Sequence, residues 1–235
     1  DQVSSRGLGD VYKRQPLERV PKMSLGNTAL RDENITVETK NLQCFRDERC
    51  LFAPISEEVR VGASLEVKGR NGSGKTTLLR ALIGLHRQTR GSFSISTSFL
   101  YQGHKLGLDE SMTPVENLVW FQALNGRKAN QSSAFRNIDF LGLSEKADTP
   151  CQFLSAGQKK KVSIARWLDS DKKLWLLDEP FTSLDSESSN VLVSIFDKHL
   201  VNGGSIVYSN HIDAVYTPSS EVRLEPVELE DIVEC

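Results

Sequence analysis

Eight consecutive residues, Gly69-Arg70-Asn71-Gly72-Ser73-Gly74-Lys75-Thr76, have the types and spacing needed to hold a triphosphate. A chain that turns sharply without bulky side chains aims successive N–H groups at phosphate oxygens. Gly72 and Gly74 let the backbone approach closely, and a helix expected from Lys75 adds its positive end. Lys75 supplies a mobile point charge for the β- and γ-phosphates, and Thr76 a hydroxyl for Mg²⁺. With Thr77, these residues form the expected nucleotide-binding set.

A second chemical feature lies a hundred residues on. Leu174-Trp175-Leu176-Leu177-Asp178-Glu179-Pro180 ends an apolar run in two acids. An ionised group at the end of a buried strand needs a partner. Mg²⁺ beside the phosphates would satisfy Asp178. Glu179 points elsewhere and would polarise an attacking water as general base.

The elements that must position these groups alternate. Ile35 to Cys44 and Ser64 to Lys68 read as strands, and Lys75 to Leu85 as a helix with Leu78, Leu79, Leu82 and Ile83 on one face. Ser92 to Tyr101 reads as strand. Thr113-Pro114 opens a helix through Leu124. Another helix follows Ser155, with Val162, Ala165 and Leu168 as its stripe. Leu174 to Asp178 reads as a strand of a parallel sheet, Ser186 to Leu200 as an amphipathic helix ended by Asn202-Gly203-Gly204, and Ser205 to Ser209 as strand. The alternation predicts an α/β fold with a mostly parallel sheet.

Bulk properties narrow the classes. The 235 residues carry a formal net charge of −2, so no basic field invites nucleic acid. No apolar run approaches the roughly 20 residues that span a bilayer. Cysteines at 44, 50, 151 and 235 match no zinc or haem-attachment spacing and suggest a reducing compartment. Residues 1–34 read as a tail, and to about residue 22 it is either foreign to the protein or a genuine disordered extension.

Leu154-Ser155-Ala156-Gly157-Gln158, ahead of the acidic pair, resembles the signature of ATP-binding cassette (ABC) transporter ATPases. That resemblance implies a P-loop NTPase fold over residues 35–235: a mostly parallel core sheet, a small antiparallel β subdomain and a helical subdomain at about 104–165. It implies ATP and Mg²⁺ as cofactors. Gln102 then matches the glutamine that senses the metal and touches the membrane partner. Asp185, in Ser183-Leu184-Asp185, matches the loop crossing between two subunits, and His211 the switch histidine that contacts the γ-phosphate. Catalytic roles fall to Glu179, His211, Lys75 and Gln102, and metal contacts to Thr76, Gln102 and Asp178. Ser155 and Gly157 would close over the nucleotide of a second, identical cassette.

The segment from Cys44 to Phe52, with Tyr101-Gln102-Gly103-His104 and the Ala156 form of the signature, is similar to the ATP-binding subunit of the cytochrome c maturation haem exporter. This implies an integral membrane permease partner and a peripheral place on the cytoplasmic face of the inner (plasma) membrane. Its function would be to energise haem export or release of a haem carrier; a different transported substrate is the alternative. None of His86, His104, His199 and His211 lies in a haem-attachment motif, so no haem is expected on this chain. Phe45 is expected in the core rather than against adenine. Lys159-Lys160-Lys161 reads as a solvated helix face.

Overall fold

A computed structural model describes residues 34–47, 49–211 and 215–227. The expected tail, but for its last residue, lies outside them.

The strands are β1 (Ile35–Arg46), β2 (Arg49–Cys50), β3 (Glu58–Arg60), β4 (Ser64–Lys68), β5 (Thr89–Ile95), β6 (Phe99–Gln102), β7 (Leu174–Asp178), β8 (Ser205–Ser209) and β9 (Ser220–Arg223). The α-helices are α1 (Lys75–Leu82), α2 (Pro114–Leu124), α3 (Gln131–Phe140), α4 (Ala156–Leu168) and α5 (Ser186–Val201). Strands β6-β7-β8-β4-β9 form a five-stranded sheet in that order, every pair parallel. Strand β1 gathers β2, β3 and β5 around it, all antiparallel.

Strand β7 shows why the core divides in two. All five of its residues are buried, yet their side chains still alternate across the sheet. Trp175 and Leu177 join Ile138, Trp167, Ile195 and Phe196 on the side of the helical lobe. Leu174 and Leu176 join Val37, Val67, Leu78 and Leu79 between the parallel sheet, α1 and the antiparallel strands. A strand covered on both faces is apolar throughout, which is the pattern read in its sequence.

Three elements differ from expectation. Helix α1 stops at Leu82 rather than Leu85, because Gly84 takes a left-handed φ of 77° and turns the chain. The stretch Ser92–Tyr101 is not one strand: β5 pairs with β1, whereas β6 pairs with β7 in the other sheet. Helix α3 lacks a clean sequence signal, since only Ala134 and Ile138 are buried while Phe135 and Phe140 face outward.

His199, in the last turn of α5, stacks on Trp175 with ring centroids 3.7 Å apart. Burial pulls its pKa from 6.5 down to about 4, against hydrogen bonds to the Lys173 and Ser205 backbone that favour the charged ring. The unfolded chain therefore takes up a proton below pH 6.5 that the folded chain refuses until about pH 4. Stability drains as pH falls through that window, by about 2 kcal/mol from this group. His199→Phe keeps the stack and should lose about 2 kcal/mol less than wild type between pH 7 and 4.5 in urea titrations. Equal losses in the two proteins would refute the assignment.

Candidate active site

Strand β4 delivers the chain to the loop 69–74 at the carboxyl edge of the parallel sheet, and α1 carries it away. Gly74, the N-cap of α1, has a φ of 100°, and a Cβ there would stand 2.9 Å from the Phe52 ring. A side chain is excluded twice, by backbone strain and by contact. Arg70, Asn71 and Gly72 are exposed on the rim, whereas Gly69, Ser73 and Gly74 are half-buried. The buried Lys75 folds its ammonium back into the loop, donating to the carbonyls of Gly69 (2.8 Å) and Arg70 (3.2 Å).

Thr76 and Asp178 meet although 102 residues separate them: the Thr76 hydroxyl lies 2.9 and 3.1 Å from the two carboxylate oxygens. Asp178, 2% exposed, also accepts from the Ser209 hydroxyl at 2.7 Å. A buried carboxylate held by two hydroxyls beside a phosphate loop offers hard oxygen donors, and that donor set fits Mg²⁺. Among the described residues no cluster of three or more His, Cys, Asp or Glu residues holds a metal by itself. Substrate phosphates would have to complete the shell.

Glu179 follows in a left-handed backbone conformation, φ 50°. This turns its carboxylate away from that of Asp178 and toward His211, whose Nδ1 lies 3.3 Å from Glu179 Oε1. The Glu179 amide donates to Ser209 Oγ at 3.0 Å. The structure thus brings together Lys75, Thr76, Asp178, Glu179 and His211.

Other expected residues stand around this group. Ser155 caps α4, its hydroxyl accepting from the Gln158 amide at 3.2 Å while Gln158 reaches back to the Ser155 amide. A Cβ on Gly157 would lie 2.8 Å from the Ser183 carbonyl, so only glycine lets α4 approach that turn. Asp185 caps α5 by accepting from the Ser188 amide at 2.8 Å. Gln102 is buried with its amide committed elsewhere. Its Oε1 accepts from Ser163 (2.8 Å) and Arg166 (2.7 Å), and its Nε2 donates to the carbonyls of Gly103 and Lys105.

Two expectations need correction. Lys160 is not on a solvated face: it is 6% exposed and donates to the Glu179 carbonyl at 2.8 Å. Burial pushes its pKa down to about 8, against Asp178 and Glu179, which favour the charged form. The signal was available in the helix period, because Lys160 precedes the buried Ser163 and Ile164 by three and four residues. Phe45 belongs to neither core cluster; it is half-buried, with the Arg90 guanidinium 5.0 Å over its ring. Arg46, next to it, donates to Thr77 Oγ1 at 3.2 Å and so stands at the mouth of the phosphate loop.

A phosphate loop after β4, two successive carboxylates at the end of β7 with β8 between the two strands, a histidine facing the second carboxylate and a capped helix α4 are the arrangement expected of an ATP-binding cassette ATPase. A sequence profile of the family described as "ABC transporter" matches residues 52–182, and the chain belongs to that family. Among curated proteins, it is 35% identical over 199 residues to the "Cytochrome c biogenesis ATP-binding export protein CcmA" of Vibrio vulnificus, covering 80% of this chain and 97% of that protein. The protein of the same name from Dechloromonas aromatica is 37% identical over 199 residues, covering 80% of this chain and 97% of that one. Solved structures share the fold. A dimeric post-hydrolysis cassette bound to ADP and Pi superposes with a TM-score of 0.69 at 21% identity, over 80% of this chain and 94% of that one. An ATP-binding protein from Pyrococcus furiosus gives 0.72 at 18% identity, over 80% and 97%. The chain is an ABC ATPase that couples ATP hydrolysis to transport.

Proposed function

We propose that this ATPase works as a Mg²⁺-dependent pair of identical cassettes, bound to a membrane permease on the cytoplasmic face of the inner membrane. It would energise the export step of cytochrome c maturation, moving haem or releasing a haem-loaded carrier. One observation carries the hydrolytic part: Glu179 and His211 face each other 3.3 Å apart beside the Thr76–Asp178 contact. The cytochrome part rests on the names of the relatives.

Lys75 would exchange the Gly69 and Arg70 carbonyls for β- and γ-phosphate oxygens. Thr76 and Asp178 would hold Mg²⁺, and Gln102 would sense it only on giving up the Ser163 and Arg166 contacts of its Oε1; the metal supplies charge neutralisation on the phosphates. Glu179 accepts the proton of the attacking water, and His211 orients that carboxylate and the γ-phosphate. Ser155 and Gly157 offer a helix N-terminus to the partner's nucleotide. A cleft of about 510 Å³, lined by Arg80, Leu85, His104, Lys105 and Phe121, lies beside Gln102 and suits a helix of the permease. Haem is expected to remain with the membrane partners.

Disrupting the gene in its own host should abolish c-type cytochromes carrying covalent haem while b-type cytochromes persist. Haem-stained gels and difference spectra read both. Undiminished c-type cytochromes would overturn the cytochrome assignment.

A further inference from the structure

Glu179 adopts a backbone conformation that a residue with a side chain rarely takes, and something must hold it there. Its amide is fixed by Ser209 Oγ at 3.0 Å. Its carbonyl accepts from the Thr182 amide at a long 3.3 Å and from Lys160 Nζ at 2.8 Å. Ser209 lies on β8 and Thr182 in the turn that follows Glu179, whereas Lys160 comes from α4, the signature helix.

An ammonium in this place is not an obvious stabiliser. Removing a cation from water is costly, and the nearby Asp178 and Glu179 carboxylates offset part of that cost. The nearest hydrogen-bond partner is a neutral carbonyl, not a carboxylate. What the contact does accomplish is geometric: it pins the peptide whose φ sets the direction of the Glu179 carboxylate toward His211. A second, independent contact ties the same helix to the same turn, the close approach of Gly157 to the Ser183 carbonyl.

We propose that Lys160 is a positioning residue for hydrolysis: through the Glu179 carbonyl it makes the signature helix part of the mount of its own subunit's general base. In a two-cassette assembly the N-terminus of α4 meets the partner's nucleotide, so Lys160 links occupancy at one site to the aim of the base at the other. The inference rests on the ATPase reading of the Glu179 site.

The test uses the full chain carrying Lys160→Met, which keeps the volume and removes the donor. A displaced general base should lower kcat by about 30-fold, since small misplacements of a reacting group cost one to two orders of magnitude. KM for Mg-ATP should stay within about twofold, because the phosphate loop is untouched. Any fall in melting temperature should be small enough to leave the variant fully folded at the assay temperature. Lys160→Gln, which retains a shorter neutral donor, should recover part of the rate. In single-turnover assays, adding Lys160→Met to Glu179→Gln should change the residual rate little, because the base it positions is already gone. An unchanged kcat in Lys160→Met overturns the proposal, as does an equal further fall in the Glu179→Gln background. A kcat loss that tracks a lowered melting temperature in both Lys160 variants also overturns it. Should Lys160→Met not fold, Lys160→Gln decides alone: wild-type kcat counts against the proposal, and a reduced kcat at unchanged KM and melting temperature for it. If Glu179→Gln by itself hydrolyses ATP at the wild-type rate, the reading of the site fails, whatever Lys160 does.

Discussion

Replacing Glu179 by Gln is expected to lower the ATP hydrolysis rate by about 10³-fold, the scale of a lost general base. Gln matches Glu in size and can keep an oxygen facing His211, now 3.3 Å from the carboxylate. Its backbone stays held by Ser209 and Lys160, so the architecture survives. What disappears is the group that accepts a proton from the attacking water. Nucleotide affinity should change little, because the triphosphate is held by the loop from Gly69 to Thr76 and not by Glu179. With binding intact and turnover blocked, ATP should accumulate between two cassettes. Light scattering would then show a dimer with Mg-ATP in the variant and mainly monomer in the wild type after turnover. Hydrolysis within a few-fold of wild type would remove Glu179 from the catalytic role.

The same site shows what a linear sequence discloses and what it hides. The phosphate loop is legible because its residues are contiguous, so spacing alone carries the chemistry. Asp178 and Glu179 are legible because a run of buried strand residues ending in acids is costly unless the acids have work to do. The parallel sheet follows from alternating strand and helix periods. The short strands β2, β3 and β9 have too few residues to show a period, and pairing with β1 or β4 decides them. Helix α3 is obscured by the exposed Phe135 and Phe140, which spoil its apolar face. The partners of Lys160 and Arg166 were hidden for another reason, although the helix period places Lys160 on the buried face of α4. A basic residue in a helix is ordinarily solvated, and the acceptors that make its burial tolerable lie far along the chain, where no local pattern displays them. For Lys160 that acceptor is the Glu179 carbonyl, and for Arg166 it is the loop after β6.

Arg166 gives the largest stability effect expected. Its guanidinium, 7% exposed, donates to Gln102 Oε1 at 2.7 Å, to Ser163 Oγ at 3.0 Å and to the carbonyls of Gly107 (2.9 Å) and Leu106. Phe121 covers it, the ring centroid 4.8 Å away. Burial pulls its pKa down to about 10, still well above any physiological pH, so the group stays charged. Arg166→Ala strips the donor from the Leu106 and Gly107 carbonyls, weakens the Gln102–Ser163 cluster and leaves a void under Phe121, and should cost about 3–4 kcal/mol. For a domain of this size that is a melting temperature lower by about 10 °C, readable by circular dichroism. The functional effect should exceed the thermal one. Gln102 and the segment Gly103–Gly107 line the cleft proposed for the permease, and Arg166 is what ties that segment to α4. Below its melting temperature, Arg166→Ala should therefore keep ATP affinity within a few-fold yet lose coupling to the membrane partner, seen as c-type cytochrome failing to form. Lysine cannot substitute: its single ammonium reaches only part of an acceptor set spread around a planar fork. Arg166→Lys should recover less than half of the lost stability, and near-complete recovery would show that charge, not the fork, holds the loop.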